Sequence, residues 1–206
     1  MLNVIKTGSK IQDTDFDGIF PDWVKTYSDM HWTPLMIAWR ASLLLVSNPD
    51  TRVLDVGSGA GKFCLVGSAI TKGTFIGIER RRPLVDVARS IVKHFELDRV
   101  SFICGNAMDI DWREFNAFYL YNPFAEHLSI NAEDRIEADY GDDSILWSDE
   151  IYSQYRDETF SRLSGLKKGT RVATLNGYGK KMPSGYSLIY RGGDLSRPLQ
   201  VWKKVR

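Results

Sequence analysis

One run of ten residues constrains this chain more than any other: VLDVGSGAGK, residues 53–62. An apolar segment ends in Asp55-Val56, glycines follow at 57, 59 and 61, and an apolar stretch resumes at Phe63. Glycine reaches positive φ without penalty and lets another group come close to the backbone. A buried strand that breaks into such a turn and continues as a helix belongs at the carboxyl edge of a parallel sheet. Open α/β folds place their ligands there.

The rest of the chain fits that setting. Short apolar runs at 52–56, 74–78, 100–104, 115–121 and 171–176 read as strands. Between them, 62–70, 82–96 and 153–166 read as helices. The second of these opens on Pro83 and shows Leu84, Val87, Ala88, Ile91, Val92 and Phe95 on one face. A further helix precedes the first strand, with Thr33 as N-cap and Pro34 at the first helical position, and it stops at Asn48-Pro49-Asp50. Segments 186–190 and 199–205 form an antiparallel hairpin around Gly192-Gly193. Alternating strands and helices predict βαβ units and a mostly parallel sheet. At 206 residues, one domain spanning 1–206 can bury a full core.

Spacing decides what the glycine turn can hold. A triphosphate loop needs Gly at position 56 and a hydroxyl residue at 63, where this chain has Val56 and Phe63. A dinucleotide turn needs Gly where Lys62 stands. What remains is Asp-x-Gly-x-Gly-x-Gly. Asp55 would repel a pyrophosphate and attract a ligand with an ammonium or sulfonium group, while the helix start after Gly61 can receive a carboxylate. Glu79 ends the second strand, 24 residues after Asp55, where an acid chelates ribose hydroxyls. An amino acid at one end and a nucleoside at the other describe S-adenosylmethionine. Arg80, Arg81 and Arg82 read as a solvated helix start.

In order, VLDVGSGAG, GIE, ICGNA and YNPF resemble the class I, seven-strand S-adenosylmethionine-dependent methyltransferases over residues 33–205. The resemblance implies an α/β, doubly wound, mostly parallel sheet of order 3-2-1-4-5-7-6. It also implies helices on both faces, a C-terminal antiparallel hairpin, and S-adenosylmethionine across the carboxyl ends of the first strands. By position, Asp55 and Gly57 would hold the methionine part, with Ser58, Gly59 and Gly61 completing the turn. Glu79 would take the ribose, and Asn106-Ala107 would flank the adenine. Many members carry an acid where this chain has Asn106, whose amide oxygen can still accept from an adenine amino group.

Methyl transfer needs a nucleophile aligned with the methyl group and water kept out. Asn122 can accept an N–H from a nitrogen nucleophile and border the cofactor, Pro123 stiffens the turn, and Phe124 can pack beside a flat group. Asn122-Pro123-Phe124 resembles the (D/N)PP(Y/F) motif of amino-directed methyltransferases, one proline short. The plainer reading is that Asn-Pro ends a strand. The expected activity is methyl transfer to a nitrogen of a protein side chain. The alternatives are a nucleic-acid base, a small-molecule amine, or a non-catalytic S-adenosylmethionine-binding protein.

Charge bears on the acceptor. Lys plus Arg number 27 and Asp plus Glu 26, so no global field favours nucleic acid or an anionic membrane. Segment 125–150 holds nine acids against Arg135. It is either a lid that attracts a basic partner or a solvated insertion, and a negative rim disfavours polyanions. Lys167, Lys168, Arg171, Lys180 and Lys181 make the C-terminal third positive. Residues 1–32 form an N-terminal segment expected to cover the cofactor. Trp23, Tyr27 and Trp32 there read as core anchors, and His31 as a base or a surface residue. Cys64 and Cys104 read as small core residues, and the scattered His31, His94 and His127 imply no metal. The longest apolar stretch, 35–46, contains Arg40 and is too short for a bilayer. A cytoplasmic protein with no membrane partner is expected.

Overall fold

β1 (Arg52–Val56), the strand that carries Asp55, is an interior strand, third in a seven-stranded sheet of order β3-β2-β1-β4-β5-β7-β6. The computed structural model describes residues 12–25, 32–124, 148–194 and 196–206. β1 pairs in parallel with β2 (Thr74–Glu79) and β4 (Ala117–Tyr121). β3 (Val100–Cys104) extends one side, and β5 (Arg171–Leu175) the other, both parallel. β7 (Leu199–Lys204) then inserts antiparallel between β5 and β6 (Tyr186–Gly192), leaving β6 at the edge. The order and the C-terminal hairpin are those expected.

Alternate strand residues feed two cores. Val53, Phe75, Ala117, Tyr119 and Ala173 face one cluster, while Leu54, Ile76, Phe118, Leu120 and Val172 face the other. The first is covered by α1 (Asp13–Asp17), α2 (Asp22–Lys25), α3 (Leu35–Leu45), α4 (Lys62–Ile70) and α5 (Arg82–His94). Phe16, Phe20 and Val24 of the N-terminal segment are buried in it, whereas Trp23 is exposed. The second is covered by a 3-10 turn (Trp112–Glu114) and α6 (Asp149–Gly165). Arg162 of α6 donates to the carbonyls of Met108 and Ile110 at 2.6 and 2.7 Å, tying that helix to the loop after β3.

Two helix starts differ from expectation. Pro34, not Thr33, occupies the N-cap of α3 and offers no side-chain bond. The free amide of Leu35 donates instead to Asp13 Oδ1 at 2.7 Å, so a carboxylate from α1 caps α3. Thr33 is turned inward, its hydroxyl 2.9 Å from that of Tyr119. α6 begins at Asp149 rather than 153, because Ser148 accepts from the amides of Glu150 and Ile151. Asp149 and Glu150 thus sit in a first helical turn, where the helix dipole favours them. Residues 125–147 of the acidic stretch, with Tyr27 and His31, lie outside the described residues. Among those described, no helix is long and apolar enough to cross a membrane.

Candidate functional site

The turn after β1 is held by the neighbouring strand. The amides of Gly57 and Ser58 both donate to the Ile78 carbonyl at 3.0 Å, which pins the turn to the end of β2. Gly59 has φ 53° and Gly61 φ 90°. A Cβ at Gly61 would come within 2.3 Å of the Phe102 ring, so that glycine serves packing. At Gly57 and Gly59 a Cβ would meet nothing within 4 Å. Those two positions face open space, which is the pocket.

The pocket has about 580 Å³ of free space, part of it open to solvent. Behind its wall at one end is Glu79, 5% exposed and bonded to Gly59 and Arg81 of the lining. Its Oε2 accepts from the Gly59 amide at 3.0 Å, and Arg81 donates to Oε1 from its backbone amide and from Nε, each at 3.0 Å. Burial alone would raise this carboxyl, but the Arg81 guanidinium and the donated N–H groups outweigh it and hold Glu79 below the usual range. Glu79 is therefore a fixed anion at the carboxyl end of β2. Arg81 lines the pocket and is not part of a solvated run.

At the other end Asp55 is buried at 4% exposure, with Cys64 Sγ donating to Oδ2 at 3.5 Å. Burial pushes Asp55 up to about 7; the thiol bond opposes this and the Glu79 charge adds to it. Tyr119 stacks on Phe63 at 3.9 Å between ring centroids, and both line the cavity with Tyr121, Trp32 and Thr33. Lys62 completes this end and is paired with two carboxylates of α1.

Beyond Tyr121, the ends of β4 and β5 carry a polar pair. Asn122 and Asn176 both take left-handed backbone, φ 44° and 62°, and both are exposed. Asn176 Nδ2 donates to Asn122 Oδ1 at 3.2 Å, leaving that oxygen one further lone pair. Pro123 is buried, and Phe124, φ 68°, stacks on Tyr155 of α6 at 4.7 Å. Tyr155 accepts from Asn106 Nδ2 at 2.8 Å, while Asn106 Oδ1 accepts from the Met108 amide. The Asn106 oxygen already has a local donor, and Ala107 is buried in the second core. Among the expected site residues, Asp55, Gly57, Ser58 and Gly59 line the cavity and Glu79 is bonded to its wall. Gly61 lies behind the turn, and Asn106, Ala107, Asn122, Pro123 and Phe124 form a second group around Tyr155 and Asn176.

Known proteins match this arrangement in part. Residues 47–124 match the family model of a methyltransferase domain. A curated relative, protein-L-isoaspartate O-methyltransferase of Nitrobacter winogradskyi, is 32% identical over 77 residues, 37% of this chain. The chain spans 35% of that relative's length. The solved RNA methyltransferase of Salinibacter ruber in complex with S-adenosyl-L-homocysteine superposes with a TM-score of 0.58 at 20% identity. That match covers 84% of this chain and 92% of the neighbour. TrmN of Thermus thermophilus gives 0.60 at 16% identity, covering 88% and 52%. The chain carries the class I methyltransferase fold.

The methyltransferase-domain match ends at Phe124. Several site groups outside it, or inside it but unremarked by motif, escaped the sequence reading: Lys62, Arg81, Tyr155 and Asn176. Only the first leaves a clear trace. Asp13 and Asp17 are one turn apart on α1, a like-charge spacing that is unfavourable unless a cation sits between them. Asn176 is anonymous in sequence; its role exists only because β5 lies beside β4 in this fold.

Proposed function

We propose that this protein is an S-adenosylmethionine-dependent methyltransferase that methylates a nitrogen of a protein side chain. The observation that carries the cofactor reading is Glu79. A buried, charged carboxylate held by the Gly59 amide faces a turn whose glycine Cβ directions open into the cavity. A ribose diol beside a ligand lying along the turn would take over acceptor sites on Glu79 that the Arg81 guanidinium fills in this structure. Asp55 lines the far end, where its carboxyl suits the ammonium of an amino-acid group. Bound there, the cofactor supplies an electrophilic methyl group on a sulfonium.

The chain's own residues then align the acceptor and exclude water. Asn122 keeps one lone pair on Oδ1, enough to hold an N–H of the acceptor and aim the nitrogen lone pair. Pro123 and the Phe124–Tyr155 stack fix the strand end on which Asn122 stands. The net charge and the acidic composition of 125–150 support a protein acceptor over a polyanion. A nucleic-acid base is the second reading, favoured by the RNA methyltransferase among the structural neighbours.

Labelled methyl donor and source-cell extract, treated with nuclease or protease after reaction, test this. Label lost to protease and kept after nuclease is expected; the reverse would replace the protein acceptor by nucleic acid. Asn122→Gly keeps the left-handed backbone and should bind S-adenosylhomocysteine normally while losing transfer. Turnover equal to the parent would remove Asn122 from the reaction.

A further inference from the structure

Lys62 is the first residue of α4 and 5% exposed. Its Nζ lies 2.5 Å from Asp13 Oδ1 and 2.7 Å from Asp17 Oδ1. It also lies over the rings of Phe16 and Trp32, 5.9 and 5.5 Å from their centroids. A buried ammonium persists only with partners, and two carboxylates one helical turn apart need a cation between them. Lys62 and α1 therefore hold each other. Asp13 Oδ1 also accepts the Leu35 amide, so one carboxylate joins α1, α3 and α4. Trp32 and Thr33, which lead into α3, line the pocket together with Lys62.

We infer that Lys62 is a positioning residue that couples occupancy of the pocket's amino-acid end to the docking of segment 12–25. This rests on the S-adenosylmethionine reading of the pocket. The wall at that end is completed by residues from outside the methyltransferase-domain match, and Lys62 is the group inside the match that keeps them in place. The ribose end is built differently, from Gly59 on the turn, Glu79 at the end of β2 and Arg81 just before α5. Ligands that fill both ends or only the ribose end must therefore respond differently to loss of the ion cluster. S-adenosylhomocysteine carries the amino acid; 5′-methylthioadenosine lacks it.

Calorimetry of both ligands with the parent protein, Lys62→Met, Lys62→Arg and Asp17→Asn reads this coupling, with hydrogen exchange of residues 12–25 in parallel. Lys62→Met should weaken S-adenosylhomocysteine by about tenfold, within the usual span of coupling between sites, and leave 5′-methylthioadenosine unchanged. Asp17→Asn, which keeps the Lys62–Asp13 pair, should shift the ratio in the same direction by less. Lys62→Arg should restore most of it. In the parent, S-adenosylhomocysteine should slow exchange across 12–25, and in Lys62→Met it should not. Equal loss for both ligands, or parental affinity in Lys62→Met and Asp17→Asn, would overturn the inference. If Lys62→Met does not fold, the ratio in Asp17→Asn decides. A parent protein that binds neither ligand would instead remove the cofactor reading on which the inference stands.

Discussion

At the scale of single residues, charge state and backbone angle set what the turn can do. Asp55 sits near 7 because it is buried, well above an unfolded carboxyl near 4. A group raised in the folded state contributes stability below its unfolded value, and that contribution is lost as pH rises through about 7. The ligand-free protein should lose stability between roughly pH 4 and 7, by up to about 4 kcal/mol. Asp55→Asn should flatten that slope in denaturant melts at several pH values. An ammonium beside Asp55 favours the charged carboxylate, so ligand binding at pH 6 should release a proton. Calorimetry in buffers of different ionisation enthalpy would show this, and Asp55→Asn should abolish it. The two glycines separate fold from function. Gly61→Ala, with φ 90° and a Cβ 2.3 Å from Phe102, should cost about 3 kcal/mol in thermal or urea unfolding. Gly59→Ala meets no atom within 4 Å and should cost about 1–2 kcal/mol through its left-handed φ alone, less than Gly61→Ala, yet place a methyl group in the pocket.

At the scale of elements, what the sequence made legible depended on how each element is stabilised. β1 was readable to the residue because a strand buried on both faces is a nearly continuous apolar run, and β3 because its buried Val100 and Phe102 alternate with exposed positions. The turn was readable because its left-handed angles favour glycine, and at Gly61 the Phe102 ring leaves no room for a Cβ. The start of α3 was not, because its cap comes from Asp13, 22 residues away, and Thr33 is recruited by Tyr119. A capping rule sees only neighbours in sequence. Arg81 was likewise misjudged: three arginines look solvated until Glu79 is folded beside one of them. The start of α6 was within reach, since Ser148-Asp149-Glu150 is an ordinary N-terminal signature hidden by the acids before it. The Thr33–Tyr119 bond gives a direct check. Thr33→Val leaves a buried phenol unpaired and should cost about 2 kcal/mol, a melting-temperature fall of roughly 6 °C.

At the scale of the whole molecule, the sheet order brings three chain regions that are distant in sequence to one edge. β1 and β2 supply Asp55 and Glu79, β4 and β5 supply Asn122 and Asn176, and the N-terminal segment closes on Lys62. The cofactor half of that edge was legible because strand ends and turns are local; the acceptor half was not, because Tyr155 and Asn176 acquire their roles only through packing. The proposed cofactor, S-adenosylmethionine, would lie along the glycine turn at this edge. Titration of S-adenosylhomocysteine into the parent protein and into Gly59→Ala, matched for thermal stability, tests it most directly. Saturable, one-to-one, micromolar-range binding is expected for the parent and none for Gly59→Ala. Equal binding by both proteins, or heat from NAD or ATP in place of S-adenosylhomocysteine, would contradict it.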